Sequence, residues 1–281
     1  MDNEKHPNVL DELLKIIVLL FRNKPENQFE ALKVGFFKVM GQLLAETGKS
    51  FFSSESVELL AEIKNCLINP KLTEEMFTGV LWKTELYDKT TDEFKAHAFK
   101  YIRTIYLQNG PYYFALFSVK NIMDLLVDKY DEPFKKKAVT MKSEWNSMKT
   151  PEFPIAEKTF EPVLSIVEVA LFTGGDVAVE AINNIVNLMT AKCSPYLHIV
   201  LLTMLKDCVA KREDFASSSK SYIKLLSETR ATKNLVYLMT NTHCLDLKAL
   251  CIKFLNILTK YAPNVIRFLN FSTNFQFVAR E

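Results

Sequence analysis

Four histidines (His6, His97, His198 and His243) and five cysteines (Cys66, Cys193, Cys208, Cys244 and Cys251) are the side chains of this 281-residue chain best suited to metal or nucleophile chemistry. Their spacing favours neither. The densest group is His243-Cys244 with Cys251 further along, and a structural zinc site wants a second close pair of ligands, which does not follow. The thiols are odd in number, irregularly spaced and set in apolar periodic segments, as core-packed cysteines of a reducing compartment are. That places the chain in the cytoplasm. Carboxylate pairs such as Glu74-Glu75 fall in exposed helical surroundings, and no Gly-x-Ser-x-Gly elbow is present. A phosphate cradle needs several glycines in one loop so that backbone amides can approach the anion. The only adjacent pair, Gly174-Gly175 in LFTGGDVAVEA, is followed by Asp176 in a place that suits a helix N-cap, and reads as a helix-turn-helix corner. These residues predict no enzyme, no metal and no cofactor.

Bulk properties point the same way. The formal charge is +2 and 48% of residues are apolar, so neither nucleic acid nor an anionic membrane is expected as a partner, and wholesale disorder is excluded. Ile16 to Phe21 and Ile199 to Leu205 are apolar but too short to cross a bilayer. The start, MDNEKHPN, lacks a secretory pattern. The run Lys135 to Lys137, preceded by Asp131 and Glu132, reads as a solvated helix face.

The elements that position these residues are helices. Pro25, Pro70, Pro111, Pro133, Pro151, Pro162, Pro195 and Pro263 stand where a helix begins or has just ended, because proline lacks the amide proton yet fits a first turn. Between them apolar residues recur at three and four, as in Leu247, Leu250, Cys251, Phe254, Leu255 and Leu258. The expectation is an all-α chain of roughly fourteen helices. Near copies of one short pattern, FEAL at Phe29, FKAH at Phe94, VEAI at Val179 and LKAL at Leu247, with a weaker KKKAV, place alanines at 31, 96, 138, 181 and 249. Two of the intervals, 42 and 43 residues, suit an armadillo or HEAT repeat. A small residue there would let stacked helices approach to about 8 Å. KNIMDLLV (Lys120 to Val127) and KNLVYLMT (Lys233 to Thr240) put Asn at a plausible helix start and give the repeat unit: short helix, polar turn, long alanine helix.

The fold expected is therefore a right-handed armadillo/HEAT-like solenoid, a crescent of about five or six repeats, spanning residues 1–281 as one domain. Asn146 to Pro162 would be a longer loop, and Ser217 to Ser221 a helix start. The phenylalanine-rich end, with Phe268, Phe271, Phe275 and Phe277, would fold back as a cap or expose a partner site.

The segments Asn121 to Val139, Phe160 to Lys192, Asp214 to Met239 and Leu245 to Asn264 together resemble the calcium-binding protein 39 family, the Mo-twenty-five scaffolds. The resemblance implies a crescent without catalysis that binds a protein kinase or pseudokinase of the sterile-twenty group and holds it active. It implies a kinase-facing concave groove and a C-terminal pocket for a short Trp-Glu-Phe type peptide. By position, Met239 would reach that pocket, with Lys253, Lys260 and Arg267 as carboxylate partners. Where the family has a basic residue on the groove, this chain has His198 or Ile199, and Lys192 to Asp214 is shortened. Two other readings stand beside it: an armadillo domain for a small GTPase or cytoskeletal regulator, formin-like and part of a longer protein, and an enzyme with an unrecognised site.

Overall fold

The computed structural model describes residues 8–46, 52–131, 157–211 and 230–261, together with Tyr222, Leu225 and Leu226, and the regular structure among them is entirely helical. The chain divides into two compact units, Met1–Ser118 with Pro154–Ile166, and Val119–Phe153 with Val167–Glu281. In the first, α1 (Val9–Phe21), α2 (Pro25–Lys33), α3 (Phe36–Glu46), α4 (Ser54–Cys66) and α5 (Pro70–Met76) follow one another. Then α5 runs on as a π turn (Phe77–Leu81), and a 3-10 segment (Thr84–Lys89) leads to α6 (Asp92–Gln108) and α7 (Gly110–Leu116). In the second unit, α8 (Val119–Leu125) also continues as a π turn (Leu126–Tyr130). It is followed by α9 (Glu157–Thr173), whose residues up to Ile166 belong to the first unit, then α10 (Gly175–Leu188), α11 (Pro195–Lys211), α12 (Ala231–Asn241) and α13 (Leu245–Tyr261).

Local sequence sets most of the helix starts. Pro25 and Pro70 open α2 and α5, Pro195 opens α11, and Pro111 sits in the first turn of α7. Asn8, Asn69 and Thr91 accept from the amides of Leu10 (3.1 Å), Lys71 (3.0 Å) and Phe94 (3.2 Å), each satisfying an amide that the helix cannot. Gly174 takes φ 83° before α10, as the corner reading requires. Three expectations are corrected. Asp176 lies inside the first turn, Gly174 being the cap. Pro162 stands within α9, so 157–162 is helix rather than loop. Asn121 and Asn234 lie inside α8 and α12 rather than at their starts. Residues 132–156, with the Lys135 to Lys137 run and Ala138, and the Ser217 to Ser221 and Phe268 to Phe277 segments, lie outside the described residues.

Within each unit helices pack on a near neighbour and on one further along, the habit of a helical-repeat stack. In the first, α1 packs on α4 and α4 on α6, while α3 packs on α5 and its π turn. In the second, α8 packs on α10 and α10 on α12, while α11 packs on α13. The first unit's centre is aromatic: Trp82 stacks on Phe117 at 4.1 Å, and Phe77 and Tyr106 meet edge-on at 5.7 Å. Each such buried ring adds about 1.5–3 kcal/mol relative to exposure.

The alanines serve this stacking unevenly. Ala31 and Ala181 are buried, but Ala96 is half-buried and Ala249 is exposed. On α13 the buried stripe is Leu247, Leu250, Cys251, Phe254, Leu255 and Leu258, and Ala249 falls off it. A close approach in the first unit is made instead by glycine. A Cβ on Gly41 of α3 would lie 1.9 Å from the Gly79 carbonyl oxygen, and one on Gly79 would lie 3.2 Å from Lys38 Cα. The π turn brings backbone onto backbone here.

Helix ends inside the stack are closed by side chains from other helices. Gln28 of α2 is buried; its Nε2 donates to the Phe21 carbonyl (3.0 Å) and the Cys66 carbonyl (2.8 Å), and its Oε1 accepts from the Ile68 amide (2.8 Å). Asp11 of α1 is buried and accepts from the hydroxyls of Ser53 and Ser56, the capping box of α4. Glu75 accepts from the Lys38 amide at the start of α3 (3.0 Å), and Tyr112 donates to Glu74 (2.6 Å), so this carboxylate pair is engaged rather than idle.

Gly41→Ala should lower unfolding stability in urea by about 1–3 kcal/mol, because the added methyl meets backbone that cannot rotate away. Ala249→Leu should change it by less than about 0.5 kcal/mol. Gln28→Ala, which removes the partner of the Cys66 carbonyl and of the Ile68 and Asn69 amides, should cost about 2–4 kcal/mol in the same assay.

Candidate functional site

Among the described residues, two concavities gather polar side chains, one in each unit. In the second unit the cleft begins with Asp131, fully buried, whose carboxylate accepts from the Ser194 amide (2.8 Å) and from its hydroxyl. The Ser194 hydroxyl in turn accepts from the Leu197 amide (3.1 Å), which fixes the first turn of α11. That turn carries His198, buried, with Nε2 donating to the carbonyl of Leu188 at the end of α10 (2.9 Å). Opposite, Asn234 of α12 donates to the Val186 carbonyl (2.8 Å) and ties α12 to the same helix end. Between these walls lies a cleft of about 330 Å³, with Met189, His198 and Leu238 among its lining and Lys192, Tyr237 and His243 exposed at it. Its mixed lining suits one apolar or aromatic side chain of a peptide.

Burial is the largest influence on His198 and pulls its imidazole below the ordinary value; the Leu188 hydrogen bond and the Asp131 carboxylate pull partly back. Burial pushes the Cys251 thiol up to about 12 and raises that of Cys244. Both are protonated at neutral pH, which suits core packing. Although His198, His243, Cys193 and Cys244 line one cleft, no three His, Cys, Asp or Glu side chains among the described residues could hold a metal ion.

Neither Met239 nor Lys253, expected at a C-terminal pocket, lines this cleft, whereas His198, expected on the kinase-facing groove, does. Met239 is buried beside it and faces the core; Lys253 is exposed on α13. The Lys260 side chain and Arg267 lie outside the described residues. Met239 stands on the buried apolar stripe of α12, while Tyr237 and Leu238 line the cleft.

The first unit carries a larger groove, about 950 Å³, which sequence reasoning missed. One wall is α6, where Glu93, His97, Lys100 and Thr104 follow at intervals of four, three and four, with Arg103 alongside. The other is Glu161, Pro162 and Ser165 of α9. Ala96 lines it too, so this alanine opens a groove instead of seating a helix. Arg103 Nε is buried with no hydrogen-bond partner among the described residues, a deficit that an acceptor from outside would relieve. No ion pair among the described residues engages Glu93, Lys100, Arg103 or Glu161. The signal available was the polar stripe on α6, legible as a period of 3.6; its opposing wall was not.

The family model of the neurobeachin/BDCP DUF4704 alpha solenoid region matches residues 1–264. This corrects the calcium-binding protein 39 resemblance, which rested on helical order and spacing that alpha solenoids of different families share. No curated protein and no solved structure matches the chain. No helix among the described residues is long and apolar enough to cross a membrane.

Folded His198 takes its proton at lower pH than an unfolded histidine, near 6.5. Below about pH 6.5 the unfolded state therefore binds more protons, so this contribution to stability is whole above that value and is lost as pH falls. Urea midpoints at pH 7.5 and 5.5 should differ less in His198→Gln, whose amide keeps a donor for Leu188, than in the unsubstituted protein.

Proposed function

Since the chain belongs to the neurobeachin/BDCP DUF4704 alpha solenoid family, we propose that it is a non-catalytic protein-interaction scaffold whose first unit grips a partner segment through a carboxylate. The observation that carries this reading is Arg103, its Nε buried and unpartnered in a groove of about 950 Å³. A guanidinium takes a carboxylate in two parallel hydrogen bonds, and in a partly desolvated groove such a pair is stronger than at an open surface. Lys100 lies one turn away, and Glu93 near the other end of the stripe would favour a basic or amide group on the same partner. About 15 Å of α6 separates Glu93 from Arg103, the span of four to five extended residues.

A sterile-twenty kinase or pseudokinase as that partner was implied by the calcium-binding protein 39 resemblance, and no other feature of the chain supports it. The alpha solenoid family match supports the scaffold reading, and the groove's chemistry is what bears on the partner. A cytoplasmic location agrees with five cysteines that are odd in number and irregularly spaced.

Fluorescence anisotropy with a labelled peptide array should find binders among sequences with an Asp or Glu anchor, and binding should weaken with salt. Arg103→Glu should weaken it at least about tenfold, and Ala96→Leu, which fills the groove, should do likewise while leaving thermal unfolding unchanged. Binding that ignores both substitutions would sink the groove as the site. Phosphotransfer by purified sterile-twenty kinases, measured with and without the chain, tests the narrower reading; an unchanged rate and no complex would end it.

A further inference from the structure

The Arg103 groove holds charges of both signs. Two carboxylates, Glu93 and Glu161, and two cations, Lys100 and Arg103, line it, so with His97 neutral the lining has no net formal charge. Such a surface does not draw in a segment merely because it is acidic. It sorts segments by where along them the charges fall. None of the four side chains is in an ion pair among the described residues, and Glu93, Lys100 and Glu161 are exposed. On the same helix Lys95 and Asp92 hold each other (3.1 Å), and neither lines the groove.

We propose that Glu93 determines specificity: the groove selects an extended partner segment with an acidic residue and, four positions from it, a basic one, and rejects a segment acidic at both places. This rests on the reading of Arg103 as the carboxylate anchor. The spacing follows from two lengths. Glu93 and Arg103 are about 15 Å apart along α6, and an extended chain advances about 3.3 Å per residue, so four residues cover about 13 Å and five about 17 Å. Side chains of an extended chain alternate between its two faces, so only an even spacing turns both charged groups toward α6. Four meets both conditions. A helical occupant fits less well: 15 Å of helix, about 10 Å or more across with its side chains, fills roughly 1,200 Å³ at the least, against about 950 Å³ in the groove. At the Glu93 end a basic group gains an unpaired carboxylate, and an acidic one meets like charge.

Fluorescence anisotropy on the full chain, with labelled peptides that share an Asp anchor, tests the selection. A peptide with Lys four positions from the Asp, tried in both orders, should in its better order bind about five- to tenfold more tightly at low ionic strength than the same peptide with Glu in place of Lys. Moving the Lys to three or five positions should lose most of that gain. Glu93→Lys, at an exposed position where helical circular dichroism should stay the same, should reverse the preference between the Lys and Glu peptides. Binding that needs Arg103 yet is equal for Lys and Glu, or whose preference Glu93→Lys leaves unaltered, would overturn the selection and leave the carboxylate anchor standing. Failure of every Asp-anchored peptide to bind would overturn the anchor and the selection together.

Discussion

A stack of helices exists only if the helix ends that it buries are satisfied, since each end strands backbone groups that stacking removes from water. In this chain the solution is the same in both units: a polar side chain on one helix closes the end of another. Gln28 closes the ends of α1 and α4 together. Asp11 and Glu75 hold the starts of α4 and α3. In the second unit Glu180 accepts from the Lys120 amide at the start of α8 (3.1 Å), Asp131 fixes the turn before α11, and Asn234 meets the end of α10. Apolar burial supplies most of the energy, but it is non-directional. These polar contacts decide which helix end meets which neighbour.

The working surfaces follow from where that closure stops. Asp131, through Ser194, sets the turn that carries His198, and the cleft beside it is what remains between two fastened helix corners. In the first unit α6 and the start of α9 leave a groove with Ala96 in its lining, and in it the Arg103 Nε is the polar atom left without an acceptor. A repeat stack offers long concave walls cheaply. What distinguishes one such wall from another is the few polar groups left unclosed along it.

Much of the architecture was legible because it is local. Apolar spacing and prolines at first turns gave the all-α class and several helix starts, and the Gly174-Gly175 corner was readable from two residues. What failed depended on partners far along the chain. Asn234 resembles a cap by its neighbours, yet its acceptor, Val186, is 48 positions away. Ala181 and Ala249 share a motif but differ in phase against the buried stripe, and only the packing partner fixes that phase. The groove needs α6 and α9 together. Gly41 and Gly79 did leave a trace, as isolated glycines within helical patterns, a sign of close backbone approach. The family was misread because helix order and spacing constrain architecture far more than descent.

The Gly41–Gly79 contact also bears on how the first unit can deform. Helices separated by long side chains can slide a little as those side chains change rotamer, which gives a repeat array its springiness. Main chain resting on main chain has no such cushion. The joint between α3 and the π turn is therefore a stiff point, and any elastic bending that accompanies a partner's arrival must be taken up at softer joints between other helices.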